Sequence, residues 1–171
     1  MIVTELPQFI TITAYEWKHL LKPDKYKDLI LKSLAFLVAE KRVVVYAFVI
    51  LGNHMHLIWQ MLGTHKRADV QRDFLKFLSQ QIKFDLIKNH PEVLKHFEVN
   101  KKDRKYQFWK RNSLSIDLFS RKVFEQKLQY IHENPVKAGL CDHPTDYHYS
   151  SARFYLLNEK SFEFLSHLEG D

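Results

Sequence analysis

Residues 43–61 read Val-Val-Val-Tyr-Ala-Phe-Val-Ile-Leu-Gly-Asn-His-Met-His-Leu-Ile-Trp-Gln-Met. Two β-rich runs, 43–51 and 55–61, flank Gly52-Asn53, with His54 at the junction. That pattern predicts a β-hairpin, because Gly and Asn supply the backbone angles of a tight reversal. Residues two apart on a strand point to one face. His54 and His56 are therefore expected side by side, with Met55 and Leu57 on the opposite face. Two neutral imidazoles at this spacing make a bidentate metal site. The same pair would equally serve as hairpin histidines bonded to backbone carbonyls, so a third ligand has to be found elsewhere in the chain.

The rest of the sequence narrows the setting. A length of 171 residues predicts one domain, spanning 1–171, with room for a proper core. Hydrophobic residues make up 46% and charged residues 27%, a globular balance. With 4 Gly and 5 Pro there is little material for linkers or repeats. The N-terminal residues lack a basic region followed by an apolar core, and no apolar run reaches membrane-spanning length. A soluble, cytoplasmic protein with no membrane partner is the expectation. Cys141 is the single cysteine, which excludes a disulfide or a cysteine metal cluster within one chain. A formal charge of +6 and a pI near 9.3 favour a polyanionic partner. Aromatic residues, at 14%, could stack on bases.

Working outward from the hairpin, residues 9–15 alternate and are β-branched, which predicts a first strand. Asp24 is expected to cap a helix over 25–40, with Leu29, Leu34, Phe36, Leu37 and Val38 as its apolar face. Beyond the hairpin, 68–89 reads as a long helix packed through Val70, Phe74, Phe77, Leu78, Ile82 and Leu86. Arg72, Lys76 and Lys83 form a separate stripe on it, either a solvated face or a set of phosphate contacts. His90-Pro91 ends that helix. Residues 101–111 interleave Tyr106, Phe108 and Trp109 with basic side chains, among them Arg104, Lys105, Lys110 and Arg111. Cations between ring faces suit single-stranded or hairpin nucleic acid. A further helix is expected over 117–133. The order predicts an α/β (α+β) sandwich, a mainly antiparallel sheet with helices on one face.

That last helix ends in Gln129-Tyr-Ile-His-Glu-Asn-Pro-Val-Lys-Ala-Gly-Leu140. Tyr130 and Asn134 are four apart and share a face if the last turn stays helical, though Pro135 argues for an irregular one. An amide oxygen at a helix end suits a hard cation such as Mg²⁺ or Mn²⁺. His132 would point about 200° away from Tyr130.

Asn53-His-Met-His-Leu-Ile58 resembles the His-hydrophobic-His motif of the HUH nucleases. The stretch from Tyr130 to Leu140 resembles the tyrosine helix of single-tyrosine transposases, in particular the REP-associated tyrosine transposases. Pro144-Thr-Asp-Tyr-His-Tyr-Ser-Ser-Ala152 looks like that family's C-terminal signature. The resemblance covers about residues 9–155. It implies a ferredoxin-like fold and metal-dependent cutting and rejoining of single-stranded DNA beside a hairpin. By the same resemblance, Tyr130 is the nucleophile, His54 and His56 are metal ligands, and Asn134 is the third ligand. Homodimers that exchange the tyrosine helix occur among such relatives, as do monomers, and a homodimer is the expectation for this chain. Leu51-Gly52 stands where relatives commonly have Met-Pro, and 107–112 also departs from many of them.

The chemistry fits these residue types. A phosphodiester is an anionic, unreactive electrophile, and a divalent metal neutralises its nonbridging oxygens. A phosphotyrosine ester keeps the bond energy, so a second DNA end can displace it without ATP. Two other functions remain open on the sequence. One is a domesticated hairpin-binding protein that does not cut; the other is a metal-dependent phosphodiesterase that uses water.

Overall fold

In the computed structural model, which describes residues 5–169, the chain forms β1 (Gln8–Thr13), α1 (Asp24–Ala39), β2 (Val43–Ile50), β3 (His54–Met61) and α2 (Arg67–Asn89). It continues with α3 (Pro91–Leu94), β4 (Glu98–Lys101), β5 (Arg104–Tyr106), β6 (Leu114–Asp117), α4 (Arg121–Lys137) and α5 (Ala152–Leu156). β2, β3, β1 and β6 form one sheet in that order, and β4 and β5 a separate hairpin. Every pairing in the main sheet is antiparallel. This is the βαββαβ order of a ferredoxin-like fold.

The sheet is apolar on both sides, and that sets the layers. Ile10, Ile12, Met55, Leu57 and Trp59 face α1 and α2. Phe9, Val49, Leu51 and Ile58 face the other way and are covered by Phe124 and Ile131 of α4. The expectation of helices on one face is thus corrected: α1 and α2 share a face, and α4 occupies the opposite one. A sheet buried on both faces needs cover on both. Within β2 the register shifts between Val45 and Ala47. The extra residue, Tyr46, reverses the alternation there, so Val45, Phe48 and Ile50 all reach the α1/α2 side. Tyr46 turns to the α4 side and donates to Gln60 Oε1 at 2.6 Å.

Several element boundaries differ from the reading of the sequence. Pro23 occupies the cap position of α1, and Asp24, its first helical residue, pairs instead with Lys27 at 3.3 Å. The buried stripe of α1 is Tyr26, Ile30, Leu34 and Leu37, which leaves Phe36 exposed beside Arg42. On α2, burial steps in fours through Val70, Phe74, Leu78, Ile82 and Leu86, so Phe77 falls outside it. Residues 114–117 form an edge strand, and α4 starts only at Arg121, where the Ser120 hydroxyl accepts the Val123 N–H. α4 also continues through Pro135. It closes at Gly139 (φ 74°), where Leu140 N–H donates to Pro135 O and Gly139 N–H to Val136 O.

The hairpin turn does not use left-handed residues at Gly52 or Asn53. A Cβ at Gly52 would lie 2.9 Å from Nδ1 of the exposed His19, so a larger residue there would displace that side chain. The outer edge of β2 is covered by the C-terminal segment. Ile50 N–H donates to Tyr149 O, Ser151 N–H to Phe48 O, and Ser166 N–H to Val45 O. The sheet edge on this side is therefore not left open for intermolecular pairing.

Candidate active site

β3 places His54 and His56 on the α4 face, their ring centroids 4.9 Å apart. Met55 and Leu57 go into the opposite core, as strand alternation requires. β1 lies alongside, with Thr11 opposite His56 and Thr13 opposite His54. The Thr11 hydroxyl meets His56 Nδ1 at 2.9 Å. Asn53 Oδ1 lies 2.7 Å from His54 Nδ1. An amide oxygen only accepts, so His54 carries its proton on Nδ1 and keeps the Nε2 lone pair free. His56 Nε2 is buried and has no hydrogen-bond partner. Burial lowers the pKa of His54. Burial, with His54 and Lys127 nearby, pushes His56 down to about 3. Both imidazoles are neutral near pH 7, which is the form that binds a metal. No group of three or more His, Cys, Asp or Glu side chains that could hold a metal occurs among the described residues. A third protein ligand would have to come from another oxygen donor, such as an amide, a hydroxyl or a backbone carbonyl.

α4 brings Tyr130 to this pair. Its ring lies 5.3 Å from that of His56, edge-on at 70°, and 5.9 Å from Phe9. Phe9 itself stacks on His56 at 5.3 Å and 19°. Tyr130 remains 42% exposed, so its phenol is open to a substrate as large as a nucleic-acid strand. Phe124 packs on Tyr46, Lys127 sits 4.9 Å from the Phe9 ring, and Tyr130 reaches His56. α4 therefore runs opposite in sense to β3. Asn134 lies one turn beyond Tyr130 on α4, half-buried, with its backbone oxygen accepting the Ala138 N–H. His132 points the other way, buried, with Nε2 2.8 Å from Ser151 Oγ.

Four residues at this site are not singled out by the sequence. Lys127 Nζ lies 5.4 Å from the Tyr130 centroid, three residues before it on the same helix face. Phe9 and Thr11 alternate along β1, and only the strand order places them beside His56. Trp17 is the least expected. Its ring meets His54 edge-on at 6.1 Å, with Lys110 Nζ 5.8 Å from its centroid.

The basic residues divide into groups. Lys83, Arg104, Lys105 and Arg111 line one cavity of about 450 Å³ with Tyr106. Lys83 and Lys105 lie 5.6 and 5.5 Å from the Tyr106 ring. Phe108 and Trp109 turn inward, and Trp109 Nε1 donates to Ser79. Arg72 is about 16 Å along α2 from Lys83, and Asp69 and Asp73 each engage it at 3.2 Å. Lys76 is exposed on α2, outside that cavity.

Comparison with solved structures bears on this arrangement. Over the whole chain and 90% of the other, the fold superposes on a REP-associated tyrosine transposase seen bound to a REP hairpin, with TM-score 0.68 and 17% identity. The chain has the fold of a REP-associated tyrosine transposase. At that identity the likeness is one of fold. A weaker similarity, TM-score 0.47 and 16% identity over 78% of this chain and 92% of the other, links it to a Deinococcus radiodurans R1 protein assigned as a transposase. No protein-family profile and no curated protein matches the sequence. No helix among the described residues is long and apolar enough to cross a membrane.

Proposed function

We propose that this chain, as a single domain, is a metal-dependent endonuclease and strand transferase of the transposase type. It cuts and rejoins single-stranded DNA beside a hairpin through Tyr130, acting in the cytoplasm where such DNA is found. One observation carries the reading: an exposed tyrosine stands 5.3 Å, ring to ring, from a buried histidine whose Nε2 has no partner. A buried imidazole nitrogen left unpaired has a cost that a metal ligand would not bear.

His54 and His56, with Asn134, are the residues that would hold a divalent cation such as Mg²⁺ or Mn²⁺. Bound there, the cation would neutralise charge on the nonbridging oxygens of a phosphodiester. Thr11 and Asn53 hold the two rings through Nδ1, which leaves the Nε2 atoms for the metal. Tyr130 Oη gives up its proton and forms a bond to phosphorus. The bond from phosphorus to the leaving deoxyribose oxygen breaks, and that oxygen takes up a proton. The Lys127 ammonium, 5.4 Å from the centroid of the Tyr130 ring, would offset negative charge as it grows on phenol and phosphate. Reversal by the hydroxyl of a second DNA end releases Tyr130 and seals the new junction. Lys83, Arg104, Lys105 and Arg111 would hold the flanking backbone, with Tyr106 as a ring face among them. Because Tyr130 meets His56 of its own chain, attack in cis is part of this reading.

Labelled hairpin-flanked single-stranded DNA, Mn²⁺ and the protein, separated on a denaturing gel, provide the test. Wild type should give a slow-migrating protein–DNA adduct and Tyr130→Phe none. Free cleaved ends that persist in Tyr130→Phe would mean hydrolysis by water instead.

A further inference from the structure

Trp17 is 54% exposed, whereas Trp59 and Trp109 are buried. It sits in a 3₁₀ turn, Tyr15–Trp17, in which both Glu16 (φ 52°) and Trp17 (φ 57°) adopt left-handed backbone. Two successive side-chain-bearing residues in that region are strained. The surroundings hold the turn in place from several sides. Ala14 N–H donates to Asn53 O, Tyr15 N–H to Phe108 O and Lys110 N–H to Thr13 O, and Lys18 Nζ reaches His96 O. The turn is thus fastened to the histidine hairpin on one side and to residues 108–110 on the other. What the strain achieves is placement: a large ring presented to solvent, in T-shaped contact with His54, with the Lys110 cation over it.

We propose that Trp17 is a stacking platform for a nucleobase of single-stranded DNA, the base adjoining the phosphate held at the histidine pair. The inference rests on the function proposed above. With 54% of the residue exposed, ring surface of Trp17 remains open to a base although His54 and Lys110 lie against it. Lys110 sits where a phosphate linking this base to the next can be met, and Arg111 follows it at the rim of the Tyr106 cavity. A strand leaving the histidines would then pass Trp17 and Lys110 and reach the cationic cavity. Stacking tolerates any base, because every base has a π-face. Trp17 would therefore anchor the strand without reading its sequence.

Oligo(dT) and an all-abasic oligonucleotide of equal length and charge separate stacking from phosphate attraction. Binding is measured with a chelator present, so that no cleavage competes. The wild-type chain should prefer oligo(dT) by about tenfold or more, and its tryptophan fluorescence should be quenched on binding. Trp17→Ala should lose most of that preference while still binding the abasic strand like wild type, and Trp17→Phe should keep most of the preference without the quenching. A preference that survives Trp17→Ala would overturn the platform. So would a wild-type chain that binds both strands equally, while leaving the transposase reading intact. A chain that binds neither would remove both proposals.

Discussion

At the residue scale, the site depends on how two imidazoles are held as much as on their presence. His54 is oriented by its sequence neighbour, Asn53. His56 is oriented by Thr11, which is 45 positions away in sequence. Thr11→Val keeps the shape of the side chain but leaves His56 Nδ1 without a partner. Outer partners of this kind typically affect metal affinity by about 10–100-fold. The Mn²⁺ concentration for half-maximal adduct formation should therefore rise by roughly that factor; an unchanged requirement would show that Thr11 does not support the ligand. The pairing of His54 with His56 is legible in the sequence, because strand alternation alone sets it. Thr11, Phe9 and Trp17 are not legible, since their proximity depends on which strand lies beside β3 and on a strained turn. Neither leaves a periodic signal in the chain.

At the element scale, α4 has two tasks, and they fall on different faces. One face presents Lys127, Tyr130 and Asn134, and another buries Ile131 and His132. His132 ties the helix to the C-terminal segment through Ser151, whose hydroxyl also accepts the Phe48 N–H and reaches Phe48 O. Burial lowers the pKa of His132 from its ordinary 6.5 to about 4. The folded chain then holds a neutral imidazole where the unfolded chain takes up a proton. This contribution to stability is complete above pH 6.5 and declines as pH falls toward about 4. Urea unfolding across that range should show a decline in His132→Gln that is shallower by about one proton. A slope identical to wild type would mean that His132 does not titrate as a buried group. The tyrosine helix is recognisable in the sequence from Tyr130 and Asn134 at helical spacing. Its start was harder to place, because Leu114–Asp117 is a short edge strand recognised by its pairing with β1 rather than by its own composition.

At the scale of the whole molecule, a ferredoxin-like sheet carries α1 and α2 on one face, and α4 brings the tyrosine to the other. The βαββα part of the order follows from hydrophobic patterning along the chain, and the last strand, Leu114–Asp117, does not. Nor does the position of α4: the unbroken apolar run 43–51 marks β2 as buried on both faces, but not which helix covers the second one. Since Tyr130 and His56 meet within one chain, two inactive variants should not rescue each other. A mixture of Tyr130→Phe and His56→Ala should form no adduct with hairpin-flanked DNA. Restored adduct would show that the tyrosine helix is exchanged between subunits. Lys83 of α2 joins Arg104, Lys105 and Arg111 around the Tyr106 cavity, where Asp103 engages Arg104 and Arg111, while Asp69 and Asp73 engage Arg72 farther along α2.

The most direct measurement is the mass-spectrometric mapping of the covalent product formed by wild-type protein with hairpin-flanked single-stranded DNA and Mn²⁺. The account predicts one modified peptide, carrying a nucleotide remnant on Tyr130. A remnant on another residue would contradict it, as would cleaved DNA with no modified peptide at all.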